Sequence, residues 1–162
     1  MKRIFAVVLA CAMSLTLLAG CGKKDETSDV NLKGFFDTVV KDHPFSNNFF
    51  EAASLEKDES GVIDMMFPEL RDVSEELYVY ASMVMQDSEM VLVKAKDADT
   101  LATVKELLEQ RVTNMTDGSR NYPEVVEVWS TNSAVVTQGN YAMLIAHDDS
   151  SAIVDEFNAL FK

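Results

Sequence analysis

Leu77–Ala95 reads LYVYASMVMQDSEMVLVKA, and this stretch decides the fold class. Leu77 to Met85 is rich in Tyr, Val and Met in rough alternation, the pattern of a strand. Gln86-Asp87-Ser88-Glu89 is a polar turn, and Met90-Val91-Leu92-Val93-Lys94-Ala95 is the return strand. Two strands joined by four polar residues predict an antiparallel hairpin. Ala134-Val135-Val136-Thr137 and Tyr141-Ala142-Met143-Leu144-Ile145-Ala146 form a second pair around Gln138-Gly139-Asn140. A Gly-Asn step between two apolar runs is a strong hairpin signal.

Each hairpin is followed by a helix. After the first, Asp97 or Asp99 caps a helix that carries Leu101, Val104, Leu107, Leu108, Val112 and Met115 on one face. Asp117-Gly118-Ser119 ends it, and Pro123 opens a shorter helix through Trp129. After the second hairpin, Asp148, Asp149 or Ser150 caps a last helix striped by Ile153, Val154, Phe157, Leu160 and Phe161. Upstream, Leu32, Phe35, Phe36, Val39 and Val40 predict a helix capped by Asn31 and stopped by Pro44. Phe45 to Ser60 reads as irregular, with a helical turn around Phe49-Phe50-Glu51-Ala52. Val62 to Phe67 is a short helix before Pro68. Helix stripes and sheet faces must bury one another. The expectation is one α+β domain over residues 32–162, with helices packed on an antiparallel sheet of about four strands.

The first residues carry an address. Met1-Lys2-Arg3 is basic, Ile4 to Leu18 is apolar apart from Ser14 and Thr16, and Leu18-Ala19-Gly20-Cys21 follows. This is the layout of a secretory signal, and its apolar run is short for a membrane span. Leu-Ala-Gly-Cys resembles the bacterial lipobox. That resemblance implies cleavage between Gly20 and Cys21, a diacylglycerol thioether on Cys21, and further acylation such as palmitate. A plain secretory signal with an incidental cysteine is the alternative. On this reading residues 1–20 are a lipoprotein signal peptide. Residues 21–31 are the lipidated cysteine and a polar tether expected to be disordered. The protein then sits on the extracytoplasmic face of the cell membrane, held to the bilayer by its acyl chains.

Charge and cysteine usage exclude several function classes. The chain has 162 residues, 14 basic and 27 acidic, for a net charge of −13. Removing the first 20 leaves 142 residues with 12 basic and 27 acidic side chains, a balance of −15. Such a surface repels nucleic acid and anionic headgroups alike. Cys11 lies in the signal and Cys21 takes the lipid, so no thiol is left for a disulfide, a nucleophile or a metal.

The Tyr- and Met-rich strand before Val91-Leu92-Val93-Lys94, then Arg111, Asn121-Tyr122-Pro123 and Gly139-Asn140-Tyr141, occur in a familiar order behind the lipobox. Together they resemble the small bacterial lipoproteins that carry domain of unknown function 4358. The resemblance covers roughly residues 32–161 and is strongest from Leu77 onward. It implies an envelope location and a fold type, and no catalytic chemistry.

The candidate chemistry is thin. His43 and His147 are the only histidines. His43 reads as a surface residue at a helix end. His147-Asp148-Asp149 is the densest constellation, and helix capping accounts for it better than a metal does. No Walker loop, dinucleotide fingerprint or nucleophile elbow is present. Arg111 reads as either a half-buried arginine paired with a carboxylate or an anion-binding group. Tyr122 and Tyr141 are expected to approach one another, as core-edge residues or as part of a surface. The methionines 65, 66, 83, 85, 90, 115 and 143 read as core filler. No metal or cofactor is expected. Arg111, Tyr122, Gly139, Asn140 and Tyr141 form the candidate binding surface. The expected function is a non-catalytic binding or interaction module of the cell envelope, contacting an envelope protein or small ligand. The alternatives are an envelope enzyme using carboxylates from distant segments, or a small-ligand capture lipoprotein serving a transporter.

Overall fold

The computed structural model describes residues 29–45, 49–82, 84 and 86–162. The signal peptide, Gly20 and Cys21 lie outside the described residues. The elements run α1 (Leu32–Asp42), β1 (Phe50–Ser54), α2 (Val62–Met66), α3 (Leu70–Val73), β2 (Ser74–Ser82), β3 (Glu89–Ala95), α4 (Ala98–Met115), α5 (Pro123–Thr131), β4 (Ser133–Gln138), β5 (Tyr141–Ala146) and α6 (Ser150–Ala159).

The five strands form one antiparallel sheet in the order β1-β2-β3-β5-β4. Both expected hairpins are present. They join through β3 and β5, with Glu89 opposite Ala146 and Lys94 opposite Tyr141. Gly139, at φ 54°, takes the left-handed conformation that the two-residue turn requires.

Helices cover both faces. On one face α2, α3, α4 and α5 bury Val79, Ala81, Val91, Val93, Ala142, Leu144 and Ala146. On the other, α1 and α6 bury Met90, Leu92, Tyr141, Met143 and Ile145. Central strands in such a sandwich are buried on both sides, which is why β3 and β5 read as nearly unbroken apolar runs.

Local signals set most of the boundaries. The Asn31 side chain accepts from Gly34 N at 2.9 Å, capping α1. Asp97 and Thr100 form a reciprocal capping box at the start of α4. Pro123 sits in the first turn of α5.

Four differences from the sequence reading have physical causes. Phe49 to Ala52 is not a helical turn. Phe50–Ser54 is an edge strand paired with β2, and Phe50 stacks on Tyr80 with ring centroids 5.0 Å apart. Strand β2 begins at Ser74, behind the four-residue helix α3 that the sequence pattern did not reveal. Asp149 stands at the N-terminus of α6 without a side-chain capping bond, because its carboxylate turns to His43. The polar segment is also held further upstream than expected. Val30 is buried and its N–H donates to the Tyr141 hydroxyl at 3.2 Å, while Lys94 Nζ binds Asp29 at 3.0 Å.

Candidate functional site

The antiparallel register gives the sheet two unlike ends. At one end lie the Gly139-Asn140 turn, Lys94, and the entry of the chain at Asp29. Lys94 is surrounded there by Asp29, Glu75 and Glu76 at 3.0, 3.2 and 3.8 Å. Its hydrogen bond and charge hold the Asp29 carboxyl below the ordinary carboxylate range, and Asp29 in turn raises the Lys94 ammonium. At the other end lie the β2–β3 connection, the last turns of α4, the first turn of α5, and His147.

Arg111 belongs to this second end and is not an open anion site. Its Nη2 and Nε reach the two carboxylate oxygens of Glu89 at 2.6 and 3.1 Å, a bidentate pair. The Glu89 side chain is wholly buried. The guanidinium lies between the rings of Phe67 and Trp129, at 5.6 and 5.5 Å from their centroids. Trp129 Nε1 donates to the Gln86 carbonyl at 2.6 Å. Sheet, α4, α5 and the β2–β3 connection are thereby tied together through one arginine.

Beyond this tie the surface opens into a groove of about 470 Å³ between the β2–β3 connection, the end of α4 and the start of α5. Val84, Met115, Tyr122 and Val125 supply its apolar lining, and Asp87, Arg120 and Glu124 its charged groups. Tyr122 is 79% exposed and Val84 72%, so two large apolar side chains stand uncovered at its mouth.

The histidines meet at the same end. Their rings lie 6.2 Å apart, edge to face, with Phe45 packed on His147 at 4.7 Å. The His147 ring accepts from Asp149 N at Nδ1 and donates from Nε2 to the Pro44 carbonyl, which places the ring hydrogen on Nε2. His43 has Asp149 on Nδ1 at 3.1 Å and Glu156 on Nε2 at 3.3 Å. Burial opposes its charged form, but the two carboxylates outweigh burial and raise its pKa above the ordinary value. His43 is therefore a packed, bridging residue and not the surface residue that its place before Pro44 suggested. A cavity of about 380 Å³ lies alongside, bounded by Asp87, Ser88 and His147.

The five residues of the candidate surface do not form one surface. Tyr122 is exposed at the groove, and Arg111 is engaged with Glu89 behind it. Gly139 and Asn140 occupy the opposite end of the sheet. Tyr141 is 1% exposed, packed with Phe161 on the α6 side. The two tyrosines thus lie on opposite faces and at opposite ends, and only Tyr141 is a core residue. Met65 is likewise exposed and not core filler, whereas Met90, Met115 and Met143 are buried.

Carboxylates from distant segments meet at Lys94, where Asp29 joins Glu75 and Glu76, and carboxylates close in the chain gather around Arg71 and His43. Asp58 and Asp64 both hold Arg71, and Asp149 and Glu156 both hold His43. Among the described residues no group of three or more His, Cys, Asp or Glu is placed to hold a metal ion. No described helix is long and apolar enough to cross a membrane.

Residues 69–147 match the family model of the Domain of unknown function DUF4358. No curated protein and no solved structure matches the chain significantly. The match covers just under half of the chain and includes α3 to β5. It contains Arg111, Glu89, the whole groove and the Gly139-Asn140 turn. It leaves out α1, β1, α2 and α6, and without α1 and α6 the side chains of Met90, Leu92, Met143 and Ile145 would lie bare. The folded unit therefore extends beyond the matched segment on both sides.

Proposed function

We propose that the protein is a lipid-anchored lipoprotein on the extracytoplasmic face of the cell membrane. There it acts as a non-catalytic binding module through the groove beside Tyr122. The groove is the observation that carries the reading. It is apolar, uncovered, and built on a rigid support in which Arg111 is already neutralised by Glu89. The carboxylates around Lys94 and around Arg71 each hold a fixed cation, which suits structural ion pairing more than acid–base chemistry. The anchor rests on the Lys2-Arg3 start, the apolar run and Leu18-Ala19-Gly20-Cys21.

The fold suits this arrangement. Asp29, eight residues after Cys21, is fixed at the end of the sheet opposite the groove. Eight residues span at most about 28 Å. The groove then sits one strand length, roughly 20 Å, further from the bilayer. Tethering in two dimensions raises the effective concentration for a weak contact with a membrane neighbour.

Small-ligand capture is the second reading, favoured by a groove volume within the range of ligand pockets. The experiment is fractionation of wild-type and Cys21→Ser cells, combined with a photoreactive residue at position 122. The binding-module reading expects membrane-bound wild type, mislocalised Cys21→Ser, and one specific crosslinked envelope protein. Wild type that fractionates away from membranes ends the anchor reading. Turnover of an envelope substrate, lost on changing one carboxylate, ends the non-catalytic one.

A further inference from the structure

We infer that the groove beside Tyr122 takes an apolar side chain, aromatic or long aliphatic, presented on a positively charged segment of a partner protein. The inference rests on the binding-module reading and names its partner class. Three observations select this occupant.

The first is the lining: Met115 and Val125 are nearly buried at its floor, and Tyr122 and Val84 stand exposed at its rim. A polarizable methionine beside an aromatic ring is a surface that accepts a bulky apolar group.

The second is charge. Glu124 flanks the groove, and Arg120, the one cation in its described lining, lies 3.3 Å from Asp117. The chain as a whole carries −13. A second copy of this chain, an acidic protein or an anionic headgroup approaches against that field, and a basic segment approaches with it.

The third is openness. A small molecule held specifically is usually buried over most of its surface. A groove whose rim tyrosine is 79% exposed leaves one side uncovered, which suits a side chain whose backbone runs across the mouth.

The test uses the mature lipidated protein in neutral detergent micelles. It is titrated with the tripeptide amides Lys-Trp-Lys, Glu-Trp-Glu and Lys-Ala-Lys, and with indole, while the resonances of Tyr122 and Val125 are followed. Lys-Trp-Lys should move those resonances and bind at least about tenfold more tightly than the other three probes. Its affinity should fall as salt is raised from about 0.05 to 0.5 M. Tyr122→Ala and Glu124→Gln should each weaken it while leaving the melting temperature unchanged. Equal affinity for Glu-Trp-Glu would overturn the charge argument. Indole binding as tightly as Lys-Trp-Lys would replace the peptide with a small ligand. Self-association through position 122, with no response to peptide, would replace the partner with a second copy. Any of these results, with membrane fractionation and crosslinking at position 122 intact, removes the partner class and leaves the anchored module standing.

Discussion

Arg111 and Glu89 are joined through two parallel hydrogen bonds, 2.6 and 3.1 Å long, at the place where α4 crosses the first residue of β3. The arginine side chain is 15% exposed and the glutamate side chain not at all. A pair this deep is costly to desolvate, and its merit lies in leaving neither charge alone.

Breaking the pair from one side should therefore be severe. Arg111→Met leaves a buried carboxylate without its partner, and Glu89→Gln leaves the guanidinium against Phe67 and Trp129 with half its bonds. Each should lower stability by about 3–5 kcal/mol in denaturant unfolding. The double variant Arg111→Met, Glu89→Leu should recover most of the loss. Single variants within about 0.5 kcal/mol of wild type would show that the pair is not under this constraint.

His43 gives the fold a pH dependence of known sign. Its folded-state pKa is raised above 6.5 by Asp149 and Glu156. A raised value means that the charged form is favoured by folding. The stabilisation is complete below about pH 6.5 and fades as pH rises through the folded-state value. Both carboxylates are about half exposed, so the effect should be about 1 kcal/mol or less. Unfolding midpoints between pH 6 and 9 should show wild type losing this increment and His43→Gln not losing it. The His43 ring proton in NMR should titrate above the ordinary histidine midpoint. A midpoint at or below 6.5 would remove the claim.

Tyr122 and Tyr141 should separate cleanly by alanine substitution. Tyr141→Ala empties a filled core position and cuts the bond to Val30 N, and should cost about 3–5 kcal/mol. Tyr122→Ala should change stability by no more than about 0.5 kcal/mol. Equal effects in thermal melts would contradict the placement of the two rings.

The proposed orientation of the anchored domain is measurable with single cysteines, since a mature lipidated chain has no other thiol. Asn140→Cys and Tyr122→Cys are labelled with a fluorophore on protein anchored in vesicles that contain an acceptor-labelled headgroup. Energy transfer should be stronger at position 140 than at 122. The reverse order would place the groove against the bilayer.

The sequence made the hairpins legible because Gly139-Asn140 and Gln86–Glu89 interrupt apolar runs, and turn chemistry is local. The helices α1 and α4 were legible because Asn31 and Asp97 cap stripes of helical period. Strand β1 was hidden because its pairing with β2 is the cause of its conformation, and Phe50-Glu51-Ala52-Ala53 carries no strand signal of its own. The groove was half legible. Tyr122 stood out beside Pro123, but Val84, Met115 and Val125 come from three separate segments. Arg111 invited an anion-binding reading until the fold delivered Glu89, which looked like part of a polar turn. His43 was misplaced for the same reason: Asp149 and Glu156 lie more than a hundred positions away.

The doubly covered sheet raises a problem of registration. In a strand wet on one side, polarity tells each residue which way to face. Strands β3 and β5 cannot use that code, since both directions are dry. Side-chain bulk replaces it. Along β5, Tyr141, Met143 and Ile145 alternate with Ala142, Leu144 and Ala146, so that mostly smaller residues meet α4 and larger ones meet α1 and α6. A slip by one position toward the C-terminus would drive Tyr141 and Ile145 into space built for Ala142 and Ala146 and open holes opposite. Deleting one residue within β5 would thus injure both interiors at once, although every residue exchanged would still be apolar.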